Sequence, residues 1–322
     1  MNTKPVVLVT RKLPDVVEHK LSELFEVILN PTDKLYSSQE ILLVAEKVDA
    51  ILPCHTEKFS AETITLLPER VKAIANFSVG VDHVDLVAAK EKKLIVTNTP
   101  DVLSDATAET AILLMLGAAR RASEGERIMR NALWKDWNPA FMVGKQVTGK
   151  RLGILGMGRV GQVVAKRARG FDMSIHYHNR SPVDSAQSDG AIYHDTVEGL
   201  LSSIDVLTIH CPASPDTEGL LNKQRISHMN PGSVVVNTSR GSVVDDDALI
   251  EALQAGFIAA AGLDVFNGEP DGIRDEYRQM DNTFLLPHIG SATQETREAM
   301  GFRAIDNLIA IFNNEEPRDR VA

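Results

Sequence analysis

The 322 residues suffice for two ordinary domains, and a 43% hydrophobic content supports a substantial core. A net charge of −10 argues against the basic face that nucleic-acid binding normally requires. No apolar run reaches bilayer-spanning length, and two distant cysteines, Cys54 and Cys211, give no disulfide framework.

The first stretch, MNTKPVVLVTRKLPD, is too short in its apolar part and too charged at its flanks for a signal peptide. A cytoplasmic protein is therefore expected. VVLV (6–9) reads as a strand, followed by a helical pattern from Leu13 to Phe25. VILN, AILP and VKAIAN mark further strands with helices between them. The segment 105–130, DATAETAILLMLGAARRASEGERIMR, is alanine-rich with apolar residues at helical spacing. It predicts one long core or interface helix beginning near Asp105. A second strand series starts at RLGILG and runs through MSIHYH, DVLTIH, GSVVVN, AAGLDV and TFLLPH. A last helix is predicted from about Thr293 to Phe312, and its return to the first unit would make that domain discontinuous. Strands alternating with helices favour parallel sheets covered on both faces, so two series imply two α/β units. The chain ends soon after the last helix, so no appended regulatory domain is expected.

In GILGMGRVGQ (153–162), Gly156, Gly158 and Gly161 form G-x-G-x-x-G between a strand and a helix. The first glycine permits a tight turn, the second a close approach to a pyrophosphate, and the third close helix–strand packing. Backbone N–H groups and the helix dipole then stabilise the phosphates. Dinucleotide binding follows. Arg159 sits inside this turn, where a solvated helix start and a pyrophosphate contact are equally good readings.

A dinucleotide site that reduces a carbonyl needs a cation to hold the substrate where that is an anion, a proton donor for the oxygen and a hydride source. Arg240, just beyond GSVVVN, fits the first need, because guanidinium binds oxygens in a planar, two-pronged geometry. His288 fits the second, since imidazole exchanges protons near neutral pH. Glu269 would bond the other ring nitrogen, fix the tautomer and stabilise the imidazolium. Taken singly, each residue has an ordinary reading as a surface, turn or packing residue.

Three segments, NTSRGSVVDDDAL (237–249), AGLDVFNGEP (261–270) and LLPHIGSAT (285–293), resemble the D-isomer-specific 2-hydroxyacid dehydrogenases. The resemblance is closest to the glyoxylate/hydroxypyruvate reductase branch. It covers nearly the whole chain, including VGVDHVD (79–85), TNTPDVLSDATAE (97–109) and GKRLGILGMGRVGQ (149–162). It implies two Rossmann-like, doubly wound parallel-sheet α/β domains with the active site in the cleft between them. The substrate-binding domain would comprise 1–100 and 290–322, and the dinucleotide-binding domain 101–289. Catalysis would rest on Arg240, Glu269 and His288, in the roles derived above.

The resemblance also matches Val79 and Gly80 to the loop that holds the substrate carboxylate. Thr238 and Asp264 match positions near the nicotinamide amide. Cys211 and Pro212 match a loop beside the cofactor, with Thr217 reaching a phosphate. Thr107, Val160 and Gly290 complete the expected cofactor contacts. Cys211 reads as a small packing residue, and His176 and His178 as packing or polar strand residues. No metal is expected, because no tight cluster of four ligands occurs. A homodimer is implied, with Trp134 and Trp137 where the family buries aromatics around a dimer contact.

The sequence departs from the family pattern at Asn230, where many relatives have Lys, and at Ser239, where Ala or Gly is commoner. ILPCHTEKF (51–59), expected to wall the substrate pocket, lacks the arginines a phosphorylated substrate would need. Glu269 counts against formate oxidation, where the matching residue is Gln. The triad leaves phosphite oxidation open, and a dinucleotide-sensing corepressor is the alternative outside enzymology.

The cofactor is read from HYHNRSP (176–182). Asn179 lies 23 residues beyond Gly156, where an acid normally accepts hydrogen bonds from the ribose hydroxyls. Asn179 removes the charge that would repel a 2′-phosphate, Arg180 can pair with that phosphate, and Ser181 can donate to it. NADP(H) is therefore expected in preference to NAD(H). The other reading is an ordinary solvated loop.

Overall fold

Short β-branched runs fold where the sequence predicts them, and the central ones are buried on both faces by the helices that cover the sheets. The computed structural model describes residues 4–322, so the first three residues of the stretch read as no signal peptide lie outside the described residues. Two units form. One comprises the chain up to Leu103 together with Ser291–Ala322, and the other Ser104–Gly290.

In the first unit, β1 (Val6–Val9), β2 (Glu26–Ile28), β3 (Ala50–Leu52), β4 (Ala73–Ala75) and β5 (Ile95–Thr97) build a sheet ordered β2-β1-β3-β4-β5. Every pair is parallel. β5, only three residues long, is not among the predicted strands. The C-terminal helix, Gln294–Phe312, belongs to this unit and is capped by the Thr293 hydroxyl. Its Met300, Ala304, Ile305, Leu308 and Ile311 pack with Val7, Val9 and Ala50. Gly301 allows the closest approach: a Cβ there would lie 2.5 Å from the Val17 methyls.

In the second unit, β6 (Arg151–Leu155), β7 (Ser174–His178), β8 (Ile192–Tyr193), β9 (Val206–Ile209), β10 (Ser233–Asn237), β11 (Ile258–Leu263) and β12 (Thr283–Leu285) are again all parallel. Their order is β12-β11-β10-β9-β6-β7-β8, so strand order reverses between β6 and β9. Ligands of such sheets bind at that switch, beyond the strand C-termini. Val235 and Leu207 face one core of this unit, and Val234, Val236, Leu152 and Ile154 the other.

The single long helix predicted from Asp105 is two helices, Ser104–Ala119 and Ala122–Arg130. Arg121 between them is left-handed, with φ 54°. Lys145, returning from far along the chain, donates its N–H to Ala119 O at 2.7 Å. A Cβ on the adjoining Gly144 would sit 2.4 Å from the same carbonyl oxygen. The helix is thus ended by tertiary contact, and no glycine or proline just beyond Ala119 announces it. No helix among the described residues is long and apolar enough to cross a membrane.

Candidate active site

The turn after β6 has the geometry of a phosphate cradle. Gly156 has φ +102°, and a Cβ on it would lie 2.6 Å from Cys211 N. A Cβ on Gly161 would lie 2.4 Å from Gly156 O. At Gly158 a Cβ would meet nothing within 4 Å. The protein itself does not demand glycine there, whereas a pyrophosphate approaching the backbone does. No side chain caps the helix Arg159–Ala168 that Gly158 opens, which suits an anion at its N-terminus. Asn179 is tied to the same turn, its Oδ1 accepting from Met157 N–H at 2.7 Å.

His288 follows β12 and carries φ 54°, a conformation that costs a non-glycine residue about 1 kcal/mol or more. Buried Asp264, directly after β11, holds it there. Its two carboxylate oxygens accept from the N–H groups of Ile289 and Gly290, both at 2.8 Å. The His288 N–H donates to Asp264 O at 2.9 Å. Burial pushes the Asp264 carboxyl above its ordinary pKa, which the two N–H bonds partly offset. His288 Nδ1 hydrogen-bonds Glu269 Oε1. Glu269 Oε2 in turn accepts from Phe266 N–H at 2.9 Å, so the carboxylate is anchored at both ends. The Nδ1 bond to the carboxylate assigns that nitrogen a proton.

Arg240 lies three residues beyond β10, on a turn fixed by Asn237. The buried Asn237 amide donates to Arg240 O at 2.9 Å and accepts from Ser239 N–H and Oγ–H, each at 3.0 Å. A Cβ on Gly241 would fall 2.0 Å from Phe266 C. That glycine therefore packs the arginine turn against the backbone leading into Glu269. Arg240, Glu269 and His288 reach the same C-terminal edge from three neighbouring strands.

In the first unit, the loop after β4 exposes backbone donors. Val79 O accepts from Asn98 Nδ2 at 2.8 Å and Gly80 O from Ser78 Oγ at 2.6 Å. The carbonyls are thereby pinned, while the Val79 and Gly80 N–H groups have no acceptor among the described residues. In the loop after β3, buried Glu57 accepts from Cys54 N–H at 3.0 Å and from the Thr56 hydroxyl at 3.1 Å. The sequence reading did not single Glu57 out.

Residues 112–290 match the family model for the D-isomer specific 2-hydroxyacid dehydrogenase, NAD binding domain. A glycerate dehydrogenase of Hyphomicrobium methylovorum is 42% identical over 317 residues, covering 98% of each chain. The chain belongs to the D-isomer-specific 2-hydroxyacid dehydrogenases. It lies close to the glyoxylate/hydroxypyruvate reductases: a glyoxylate reductase of Thermococcus litoralis is 40% identical over 323 residues, covering 99% of this chain and 97% of that one. The crystal structure of an NADPH-dependent glyoxylate/hydroxypyruvate reductase from Sinorhizobium meliloti, in complex with NADP and malonate, superposes with a TM-score of 0.88 at 34% identity. That match covers 99% of this chain and 97% of the other. This dehydrogenase is an oxidoreductase of 2-keto and 2-hydroxy acids that uses a nicotinamide dinucleotide.

Other residues the dehydrogenase sequence pointed to have structural work of their own. The Thr217 hydroxyl accepts from Ser214 N–H at 2.8 Å and donates to Pro212 O at 2.7 Å, bracing the loop that follows β9. Thr107 is buried on the helix Ser104–Ala119, with its side chain beside Gly290. Val160 packs on the core, and Arg159 is exposed at the helix start. Burial pushes the Cys211 thiol up to about 11, so it stays protonated and inert. Arg180 and Ser181 are exposed, with no hydrogen bond or ion pair among the described residues.

His210 was not singled out as a site residue, yet its ring links Thr208 Oγ1 (2.8 Å) and Thr238 Oγ1 (3.1 Å) across the ends of β9 and β10. Burial drives it down to about 3. Burial also lowers His176 and His194, whose rings share a 3.0 Å hydrogen bond. Because these folded pKa values are depressed, the unfolded chain takes up protons first as the pH falls below about 6.5. The stability they contribute is complete above that pH and is lost progressively towards the folded values. Urea unfolding followed from pH 7.5 to 4.5 should show a falling midpoint. His210→Asn should flatten the slope by up to about 1.4 kcal/mol per pH unit.

Proposed function

We propose that this dehydrogenase is an NADPH-dependent glyoxylate/hydroxypyruvate reductase that works as a cytoplasmic homodimer. Arg240 binds the substrate carboxylate and polarises the keto oxygen, and the Val79 and Gly80 N–H groups take the remaining carboxylate oxygen. His288 donates its Nε2 proton to the keto oxygen, while Glu269 accepts from Nδ1 and holds the ring. The bound cofactor supplies the hydride to C2. The product is glycolate from glyoxylate, or D-glycerate from hydroxypyruvate. The glycerate dehydrogenase among the relatives supports the second pair, and the glyoxylate reductases the first.

The observation that carries the cofactor reading is the unpaired, exposed Arg180 beside Asn179, whose neutral amide stands where an acid would repel a 2′-phosphate. Asn179 Oδ1 accepts from Met157 N–H, and its NH₂ group is a donor that a carboxylate could not supply to a phosphate. The test compares kcat/KM for NADPH and NADH with glyoxylate. The parent should prefer NADPH, and Asn179→Asp should lower the ratio by roughly tenfold, since a carboxylate near the phosphate costs about 1.4 kcal/mol or more. Preference for NADH in the parent, or an unchanged ratio in the variant, would overturn the reading.

The homodimer is supported by an exposed apolar run in the second unit. Met129 and Leu133 are each 61% exposed, Trp134 50%, Trp137 75% and Val143 65%. An exposed apolar run of this length suits an interaction face. Trp134→Glu with Trp137→Glu should shift the protein from dimer to monomer in sedimentation velocity. Dimer persistence at micromolar concentration would remove this face from the interface.

A further inference from the structure

We propose that Tyr177 and Tyr193 are positioning residues for cofactor choice, each phenol fixing one end of the loop 179–183 so that Arg180 and Ser181 meet the adenosine 2′-phosphate. The inference rests on the NADP(H) reading above.

The two tyrosines face each other across paired strands. Tyr177 of β7 is in register with Tyr193 of β8, and their rings are 5.4 Å apart and tilted at 53°. Tyr177 is buried in the core, yet its hydroxyl oxygen accepts from Val183 N–H at 3.2 Å. The Tyr193 hydroxyl donates to Asn179 O at 3.3 Å. The strand edge beneath them is itself tied down. His194 N–H donates to Tyr177 O at 2.8 Å, and His178 Nδ1 bonds His194 O at 2.9 Å.

Five residues thus span two phenol anchors, with Asn179 Oδ1 on Met157 N–H as a third. Between the anchors, Arg180 and Ser181 make no bond of their own among the described residues, and Pro182 has no N–H to give. A guanidinium pairs with a phosphate in a narrow set of geometries, so a long, unbonded arginine gains affinity only where its backbone is held in advance. The phenols provide that hold from behind, without touching the cofactor. Their effect should fall chiefly on the 2′-phosphate, because the Asn179 amide keeps its own separate anchor on Met157 N–H.

Tyr177→Phe and Tyr193→Phe keep ring packing and remove only the hydroxyls. Cofactor Kd from nucleotide fluorescence and steady-state KM with glyoxylate would be measured for NADPH and NADH, with Arg180→Ala alongside and thermal melting of each variant. Each Phe variant should raise the NADPH Kd and KM by roughly 5-fold, the size of one hydrogen bond. NADH constants and kcat should stay within about 2-fold of the parent. Equal changes for both cofactors would overturn the proposal, since a merely structural role does that. If Arg180→Ala weakens NADPH while both Phe variants leave it unchanged, the clamp fails and the cofactor reading stands. If Arg180→Ala leaves NADPH unchanged, the cofactor reading fails and takes the clamp with it.

Discussion

Replacing His288 with alanine should lower kcat for glyoxylate reduction by roughly 10²- to 10⁴-fold, the usual worth of a positioned general acid. Cofactor Kd should hardly change, because the ring carries no part of the phosphate cradle. Glu269→Gln should be the more informative variant. Its amide oxygen can still accept from His288 Nδ1, and its NH₂ group cannot replace the Oε2 that accepts from Phe266 N–H. One of the two anchors must fail, so kcat should fall while substrate KM moves little. Steady-state rates for both variants, with cofactor binding measured separately, check the assignment. A His288→Ala enzyme reducing glyoxylate at the parent rate would remove His288 from the chemistry.

Why the pair is placed so well is a question of backbone, and it divides what the sequence tells from what it does not. Apart from the two-residue β8, the second strand series could be read directly, because β-branched runs such as GSVVVN and DVLTIH signal their own conformation. The glycine turn was legible for a different reason: Gly156 and Gly161 leave no room for a Cβ and Gly158 leaves room for a pyrophosphate, so the spacing itself carries the signal. The clamp on His288 was not. It depends on Asp264, at the end of β11, reaching the N–H groups of Ile289 and Gly290 beyond β12. That meeting exists only once the two strands align in register. A motif match pointed to Asp264 near the nicotinamide, and the structure shows its carboxylate engaged in holding the left-handed histidine. The break at Arg121 fails to announce itself in the same way, because the residues that end the helix, Gly144 and Lys145, lie far along the chain. Asn237 belongs between these cases. Its place in NTSRG was visible, yet that its amide bonds both Ser239 and Arg240 follows only from the folded turn.

That turn sets the second large effect. Arg240→Lys keeps the charge and loses the two-pronged donor geometry. Losing one charged hydrogen bond to the carboxylate and one to the keto oxygen should cost about 3 kcal/mol, roughly 150-fold in kcat/KM. Both KM and kcat should suffer, because in the proposed role the carboxylate bond would act in the ground state and the keto-oxygen bond would strengthen as charge develops. Gly241→Ala offers an independent route to the same outcome without touching the guanidinium. Its methyl carbon would need the space of the Phe266 backbone, at 2.0 Å. The turn and the Phe266–Glu269 segment must then move apart, and with them Arg240 and the carboxylate that holds His288. If the chain stays folded by circular dichroism, Gly241→Ala should lose kcat/KM as severely as Arg240→Lys while keeping its affinity for NADPH. An active Gly241→Ala enzyme would mean that the spacing of these two segments is not what aligns the arginine with the acid.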